Sequence, residues 1–455
     1  MSMTHVKPPM PPGLAGPSSQ AVAAPPVAKR VAPVTEAAAV WAPKVPKTLA
    51  DTGLNAGLVE TLILKHLLNV GSASGGAVAK LLCLPNAPVL EILASLKQQQ
   101  VVGYVGSAGA GDFTYTLTDV GRERARRMME ESMYAGAAPV PIEAYIESVR
   151  QQTITKKNPT IDDLKRAFED LLINQQMFDT LGPAINSGRG MFLYGYPGNG
   201  KTSIAERITK CFGDDIYLPR CVTVDGIIIK VFDAECHEAI ETKQDSILRA
   251  DTFDARWVKI RRPTIVVGGE LTMDMLEVRY NTTTKVCEAS LQMKSNCGTL
   301  VIDDFGRQRM QPVELLNRWI VPLEKRYDFL SLPNGKKVQV PFDQLIIFST
   351  NLEPKQLVDD AFLRRIPYKI NVQDPSEEEF RKLFEILAPK MGFVMKTDCI
   401  DTLIERHYKG KRPFRCCQPR DLLLQIRNLC LYQNRALELS HDHFDFAAGV
   451  YFTVM

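Results

Sequence analysis

The spacing of apolar residues divides the chain into a tail, a small domain and a larger module. Residues 1–50 show no periodic spacing, because they consist mainly of Pro, Ala and Val with a few basic residues. A segment of this composition does not bury a core, so we predict a disordered tail there. From residue 51 onward, apolar residues recur at the spacing of helices or strands through most of the chain.

Residues 51–135 predict a domain of helices followed by a hairpin. We expect the helices at 58–68, 78–82 and 89–96, where apolar residues have helical spacing. Two alternating stretches around a Gly/Ala loop predict strands at 101–105 and 113–117. A charged helix then follows, capped by Thr118 or Asp119. Three helices and a β-hairpin resemble the winged-helix fold.

Charge bears on what this domain would bind. In the winged-helix family the third helix usually reads DNA, which requires several cations against the phosphates. Residues 51–131 contain seven Lys or Arg against eight Asp or Glu, and the third predicted helix carries only Lys97. This balance favours docking of a protein over reading of DNA, with nucleic-acid binding as the alternative.

The larger module opens with a linker and a phosphate-binding motif. Residues 136–160, which contain Pro139 and Pro141, are expected to be a linker, and a helical stretch around 161–181 follows. An apolar run at 191–194 then predicts a buried strand. The next residues, Gly195-Tyr-Pro-Gly-Asn-Gly-Lys201-Thr202, match the full G-x-x-x-x-G-K-[ST] pattern, and residues 203–208 predict a helix. Strand, glycine loop and helix are the context that this motif needs.

The residue types of the motif suit a nucleoside triphosphate. Glycines let the main chain curl until several N–H groups point at the phosphates. Lys201 is expected to neutralise the β and γ phosphates, and the Thr202 hydroxyl to bind Mg²⁺ at a helix N-terminus. The predicted nucleotide-binding residues are Gly195, Pro197, Gly198, Asn199, Gly200, Lys201, Thr202 and Ser203.

Two further apolar strands end in polar side chains. The strand at 299–302 is followed by Asp303 and Asp304, of which the first suits Mg²⁺ and the second suits polarising an attacking water. The strand at 345–350 is followed by Asn351, whose amide is able to orient that water.

Three arginines complete the predicted site. Arg364 and Arg365 come shortly after Asn351, and their guanidinium groups suit the charge that develops on a transferring phosphoryl group. Pro419 stands at a plausible first-turn position of a later helix, so that Arg420 projects from a helix N-terminus.

This order of motifs resembles that of the AAA+ ATPase family over roughly residues 155–455: Walker A, Walker B, sensor 1, arginine finger and sensor 2. The resemblance implies that Asp303 binds Mg²⁺, that Asp304 is the catalytic base and that Asn351 is sensor 1. It implies that Arg365, or alternatively Arg364, acts on the nucleotide of a neighbouring subunit. Arg420 corresponds to sensor 2.

Asp304 departs from the family's pattern, because most members have Glu at this position. The carboxylate is one methylene shorter, and small displacements of a catalytic group slow a reaction. Bacterial replication initiators and helicase loaders of the same family look similar here and also carry paired aspartates. We therefore expect hydrolysis to be retained.

The resemblance implies an α/β fold class: an AAA+ P-loop core with a parallel sheet flanked by helices at 161–372, and a helical lid at 373–455. Asn-Gly and Asp-Gly turns between alternating segments predict hairpins over 327–341 and 221–231. With a hairpin just before sensor 1, the chain resembles the AAA+ clade that includes MoxR-type ATPases, unfoldases and replicative helicases. The second hairpin looks like an insert typical of MoxR-type ATPases, with an ordinary hairpin at the sheet edge as the alternative.

Composition adds little to this picture. The 455 residues are 45% hydrophobic and 24% charged, with a formal net charge of +3 that favours no particular partner. No apolar run approaches the roughly eighteen residues of a membrane span, and the N-terminus lacks the apolar core of a signal peptide. We expect a cytoplasmic protein without membrane insertion. Ten cysteines without a C-x-x-C pair indicate reduced thiols.

Three functions remain open on these grounds. The first is an ATP-hydrolysing homo-oligomeric ring, expected to be a hexamer, that remodels a client protein recruited by the N-terminal domain. The second is a DNA-dependent ATPase or helicase loader, favoured by the basic residues between Arg249 and Arg262. The third is a nucleotide-gated switch with little turnover, favoured by Asp304. ATP and Mg²⁺ are the expected cofactors.

Overall fold

The computed structural model describes residues 41–109, 111–213, 215–240, 253–394 and 396–453. The predicted tail, apart from residues 41–50, lies outside the described residues. The prediction of disorder is wrong for residues 41–50, because the Trp41 ring packs edge-on against the rings of Tyr217 and Trp257. Among those that are described, no helix has both the length and the apolar character that a membrane crossing demands.

Helices and a three-stranded antiparallel sheet form the N-terminal part, as the apolar spacing predicts. Its elements are α1 (Ala56–Val70), β1 (Ser72–Ser74), α2 (Gly75–Leu82), α3 (Asn86–Gln98), β2 (Val102–Gly109), β3 (Asp112–Leu117) and α4 (Asp119–Glu131). The strand order is β1-β3-β2. The apolar faces of the helices and sheet share one core, in which Leu62, Leu67 and Val89 are fully buried. Of the two predicted caps for α4, it is Thr118 whose hydroxyl accepts the Gly121 N–H.

Helices and strands alternate through the larger module. Its elements up to the middle of the module are β4 (Val140–Pro141), α5 (Ile142–Gln151), α6 (Ile161–Ala167), α7 (Gln175–Asn186), β5 (Met191–Tyr194), α8 (Lys201–Ile208), β6 (Ile216–Pro219), β7 (Cys221–Val224), β8 (Ile227–Lys230), β9 (Trp257–Ile260), β10 (Thr264–Val267), β11 (Arg279–Asn281) and β12 (Val286–Glu288). The others are α9 (Leu291–Ser295), β13 (Thr299–Ile302), α10 (Pro312–Lys325), β14 (Tyr327–Ser331), β15 (Lys337–Pro341), β16 (Leu345–Thr350), α11 (Pro354–Leu357), α12 (Asp360–Leu363), β17 (Tyr368–Asn371), α13 (Glu377–Lys390), α14 (Thr397–Leu403), α15 (Gln418–Tyr432) and α16 (His441–Tyr451).

Five parallel strands in the order β10-β13-β16-β5-β17 make the central sheet. Every residue of β13 and β16 is buried, because apolar clusters cover both faces of the sheet. Parallel strands covered on both faces are continuously apolar, which is the pattern that the sequence displays at these positions. The expected α/β fold class, a parallel sheet flanked by helices in a P-loop core, is confirmed.

A second five-stranded sheet, in the order β11-β12-β8-β7-β4, lies outside the central one. Its β7–β8 pair is the hairpin predicted from the Asp-Gly turn, in which both turn residues, Asp225 and Gly226, have positive φ (49° and 82°). The first hairpin predicted, β14–β15, is also present, with Gly335 at φ 80° in its turn. Strand β4 joins the second sheet by pairing with β7, which the sequence did not indicate.

Part of the segment expected to be a linker, 136–160, forms strand β4 and helix α5. Helix α5 places Ile142, Tyr145 and Val149 on one buried face, at helical spacing. The Tyr145 hydroxyl donates to the Met293 carbonyl (2.9 Å) and accepts from the Asn296 side chain (2.7 Å). Apolar residues at this spacing bury a helix face, so Pro139 and Pro141 precede a packed helix and not a free connection.

The helical stretch expected around 161–181 is two helices, α6 and α7, instead of one. Asn174 explains the second start, because its side-chain oxygen accepts the Met177 N–H as a cap (2.9 Å). At the other end of the module, α13–α16 pack around one aromatic core and form the expected helical segment, called the lid below.

A buried ion pair fastens the N-terminal part to the larger module. Arg256 and Asp254 are 4% and 3% exposed, and the Arg256 Nη1 also donates to the carbonyls of Thr52 (2.9 Å) and Pro139 (3.1 Å). Arg262 is also buried and donates to backbone carbonyls. Arg256 and Arg262 are therefore not free to contact DNA, which removes two of the basic residues that favoured a DNA-dependent ATPase, while Arg249 lies outside the described residues.

Replacing Arg256 with Ala should lower the free energy of unfolding by about 3–5 kcal/mol, because it leaves a buried Asp254 carboxylate unpaired. Arg261→Ala is the matched control: Arg261 pairs with Glu238, and both side chains are about two-thirds exposed (68% and 65%). We expect the control to cost less than about 1 kcal/mol. Urea titration of both variants measures the difference, and equal losses would contradict a fastening role for Arg256.

Candidate nucleotide site

Strand β5, the glycine loop and helix α8 form the expected phosphate-binding motif. Gly195, at φ 138°, approaches the chain after β17 so closely that a Cβ would lie 2.5 Å from the Val372 carbonyl oxygen. Gly200, at φ 81°, immediately precedes α8 in the left-handed conformation. The loop therefore curls over the N-terminus of α8, where backbone N–H groups and the helix dipole attract anions.

Lys201 lies buried under this loop, 7% exposed. Its ammonium donates to the carbonyls of Gly195 (2.9 Å) and Tyr196 (3.0 Å) and to the Asn351 side-chain oxygen (2.7 Å). Burial lowers the pKa of Lys201, and the carboxylates of Asp303 and Asp304 oppose that shift. A phosphate oxygen entering the loop would be a stronger partner for this cation than the neutral oxygens that surround it.

The paired aspartates stand at the carboxyl end of β13, next to the loop. The Thr202 hydroxyl donates to Asp303 Oδ2 (2.9 Å), so the two predicted metal ligands are in contact. The Asn351 Nδ2 donates to Asp304 Oδ1 (3.2 Å), while its oxygen accepts from Lys201. Asp304 has a left-handed backbone, with φ 47°. The amide of Asn351 thus bridges the Lys201 ammonium and the predicted base, Asp304.

Gln308 holds the turn that carries the paired aspartates. Its Nε2 donates to the carbonyls of Asp303 (2.9 Å) and Asp304 (3.2 Å), and its Oε1 accepts the Gly306 N–H (2.8 Å). The Thr350 hydroxyl donates to the Phe305 carbonyl from the neighbouring strand (2.9 Å). Sequence reasoning missed Gln308, because no spacing or composition signal marks a side chain that bonds only to nearby backbone.

The loop opens into a cleft of about 810 Å³ between the central sheet and the lid. Asp303, Asp304, Asn351 and Arg420 line it together with the loop, and apolar residues of α13 form one wall. Arg420 is 62% exposed on its side chain and pairs with its neighbour Asp421 (3.0 Å). A second cleft of about 230 Å³ adjoins the first and shares residues from both the loop and the lid.

Arg364 and Arg365 lie elsewhere. They line a separate cleft of about 610 Å³, and the Arg365 Nε donates to Glu324 Oε1 (2.7 Å). Two further arginines, Arg189 and Arg326, line the same cleft. The chain therefore brings together every predicted site residue except these two, which do not line the cleft of about 810 Å³ beside the glycine loop.

Comparison with known proteins gives limited likenesses. Residues 376–450, within the lid, match a family described as a domain of unknown function, DUF8689. A search of curated proteins found no match. Among solved structures, NtrX from Brucella abortus in complex with ATP is 15% identical at a TM-score of 0.38, over 62% of this chain and 59% of NtrX. The chain thus spans about three-fifths of NtrX.

Two other solved structures give similar sequence identities and TM-scores. A mutant of RuvB from Thermotoga maritima is 12% identical at a TM-score of 0.37, over 62% of this chain and 72% of RuvB. The BchI–BchD complex of magnesium chelatase gives 15% identity and a TM-score of 0.32, over 62% of this chain and 93% of the other. The fold class stated above rests on this chain's own sheet order and loop.

Gly195→Ala should destabilise the chain by about 3 kcal/mol or more, because the added Cβ meets a backbone oxygen that has no room to move. Gly200→Ala is the control, since its φ is also positive but its Cβ would point into open space. Strain alone predicts about 1–2 kcal/mol for the control. The free energies of unfolding of the two variants, measured without nucleotide, test the close approach of the loop to Val372.

Proposed function

We propose that this chain is an AAA+ motor that binds ATP with Mg²⁺ and hydrolyses it. The observation that carries the proposal is the linked set Lys201, Asn351 and Asp304, joined by two hydrogen bonds of the Asn351 amide. The three side chains come from α8 and from the ends of two adjacent strands of a parallel sheet. Ligands of such sheets bind outside the carboxyl ends of the strands.

The two adjoining clefts divide the nucleotide between them. The cleft of about 230 Å³ has apolar walls, including Ile173, Met177 and Leu383, and suits the flat base. The glycine loop then receives the phosphates. The Thr202 hydroxyl and the Asp303 carboxylate are two hard oxygen donors in contact, the donor type that Mg²⁺ prefers, so these two residues would hold the metal.

Hydrolysis requires a water in line with the γ phosphate. Asp304 accepts a proton from this water while the water oxygen bonds to phosphorus and the bond to the β–γ bridging oxygen breaks, leaving ADP and phosphate. Asn351 donates to Asp304 and so orients it. Lys201 compensates the charge on the phosphates once they replace its carbonyl partners. Mg²⁺, when bound, would supply additional neutralisation of that charge.

Arg365 is proposed to complete the site of the next subunit in a ring, expected to be a hexamer, with Arg364 as the alternative. The support is its place in a cleft apart from its own nucleotide cleft. Arg420 is proposed to act in cis, because it lines the nucleotide cleft from the lid. Each nucleotide would then contact two subunits, and hydrolysis would depend on assembly.

The motor is proposed to remodel a client protein, as MoxR-like members do, with the N-terminal part as a winged-helix-like docking domain. The exposed positions of α3 include Ala87, Ala94, Ser95 and Gln98 but no free cation among the described residues. Lys97, the one basic residue of this helix, lies with its Nζ 3.9 Å above the Tyr104 ring. A surface of this kind suits a protein better than the phosphates of DNA.

Lys201→Ala should abolish ATP binding, and Asp304→Asn should keep binding but lower hydrolysis by about 100-fold or more, because it removes the base and leaves the loop intact. Lys210→Ala is the control, an exposed lysine one turn beyond α8. Calorimetric titration with ATP·Mg²⁺ and steady-state phosphate release measure the two effects. Full turnover in Lys201→Ala would reject the proposal, and fast turnover in Asp304→Asn would reject the role of Asp304.

Mixing two inactive variants tests the action of Arg365 in trans. Lys201→Ala and Arg365→Ala should each be inactive, but an equal mixture should recover about one-quarter of the wild-type rate, because random assembly in a closed ring pairs intact halves at that frequency. Arg364→Ala in place of Arg365→Ala is the comparison. If hydrolysis recovers only in the mixture of Lys201→Ala with Arg364→Ala, Arg364 is the residue that acts in trans. If hydrolysis recovers in neither mixture, action in trans is contradicted.

A DNA-dependent ATPase is the second candidate. The observation in its favour is the cleft lined by Arg189, Arg326, Arg364 and Arg365, which suits an anionic partner as well as a neighbouring subunit. DNA that stimulates hydrolysis, with binding that weakens steeply as salt rises, would establish this candidate. Absence of DNA binding at low salt would remove it. A hydrolysis rate typical of other family members would likewise remove the nucleotide-gated switch.

A further inference from the structure

The residues that lead into α15 lie directly on the phosphate loop. The Cys417 N–H donates to the Gly198 carbonyl (2.8 Å), and the Cys416 N–H donates to the side-chain oxygen of Asn199 (3.3 Å). The sequence motif gives no reason for these contacts, because they join the loop to a segment more than two hundred positions further along the chain. One side of the loop is thus covered by the lid.

One oxygen of Asp374 accepts hydrogen bonds from both the phosphate loop and the segment that leads into α15. Its Oδ1 accepts from the Asn199 Nδ2 (2.6 Å) and from the Arg415 guanidinium. Asp374 lies between β17 and α13, where the central sheet ends and the lid begins. A single carboxylate at the junction therefore ties the phosphate loop to the lid.

Arg415 makes a second contact with the loop, because its guanidinium lies over the Tyr196 ring, 4.3 Å from the centroid. The Arg415 side chain is 17% exposed and that of Asp374 is 30% exposed, so solvent screens the pair only partly. Burial is the main reason for the lowered pKa of Lys201, and the charge of Arg415 lowers it further. Arg415 is therefore within electrostatic reach of the phosphate-binding cation, whereas the exposed Arg420 pairs with its own neighbour.

We propose that Asp374, Arg415 and Asn199 form a clasp that fixes the shape of the phosphate loop against the lid; the proposal rests on the proposed binding of ATP. Arg415 and Asp374 are positioning residues in this clasp and bind no phosphate themselves. A loop whose N–H groups already converge binds an anion more tightly, because less ordering is required on binding. The clasp therefore sets the affinity for ATP and leaves the rate of phosphoryl transfer nearly unchanged.

The test uses the full chain and three variants: Asp374→Asn, Arg415→Ala and the double variant. Each single change should raise the Kd for ATP·Mg²⁺ about tenfold, the scale of a charge-assisted bond, while kcat at saturating ATP stays within about twofold. The double variant should bind no more weakly than the singles, because both changes open the same clasp. Without nucleotide, amide hydrogen exchange at Tyr196, Gly198 and Asn199 should be faster in all three variants.

Arg406→Ala is the matched control, since Arg406 is a lid arginine that pairs with Asp445 and has no contact with the loop among the described contacts. Its Kd should equal that of the wild type. If Asp374→Asn leaves the Kd for ATP·Mg²⁺ unchanged or lowers it while Arg415→Ala raises it, Arg415 binds phosphate directly. That result would overturn the clasp. Additive losses, or unchanged hydrogen exchange, would overturn it as well.

The outcomes also separate this proposal from the proposed function. A wild-type chain that does not bind ATP contradicts the proposed function, and the role of the clasp in binding falls with it. A wild-type chain that binds ATP, with Lys201→Ala inactive and Asp374→Asn silent, contradicts the clasp alone.

Discussion

The organisation of the module depends on one buried cation, the Lys201 ammonium. A buried ammonium without partners is strongly unfavourable, so it requires oxygens close by. Two come from the loop that precedes its helix, and the third comes from Asn351 at the end of the neighbouring strand β16. This arrangement exists only if β5 and β16 are adjacent and parallel, as they are in the central sheet. The same amide then orients Asp304 from the end of β13. The hydrogen-bond partners of Lys201 thus require the strand order β13-β16-β5.

Features that depend on neighbouring residues were predictable from the sequence, and features that depend on distant pairing were not. The glycine loop, the buried strands and both hairpins follow from short patterns, because a few adjacent residues determine each of them. Strand β4 pairs with β7, about eighty positions away, and no local pattern announces that partner. Arg256 looks like a surface charge in a basic stretch, but Asp254 and two carbonyls bury it. Gln308 and Asp374 were missed for the same reason, since their partners are defined by the folded chain.

Two connections restrict how the parts of this chain move. Arg256 fixes the N-terminal part to the larger module through carbonyls on both sides of it. Helix α5 adds a buried tyrosine to the same region. The N-terminal part and the second sheet are therefore expected to move together as one unit. The junction at Asp374 is different, because a partly exposed ion pair is easier to open than a fully buried one. Under the proposed function, we expect the lid rather than the N-terminal part to move when a nucleotide binds.

The left-handed backbone of Asp304 gives a reason for the residue type at this position. At φ 47°, Asp and Asn are enriched among non-glycine residues, because their short polar side chains bond to nearby backbone. The turn is held in that conformation by Gln308 and by the neighbouring strand. Glutamate would reach further, at a backbone conformation that favours it less than aspartate. The shorter carboxylate is thus the residue type that this left-handed turn favours, so the turn and the side chain that it carries are matched to each other.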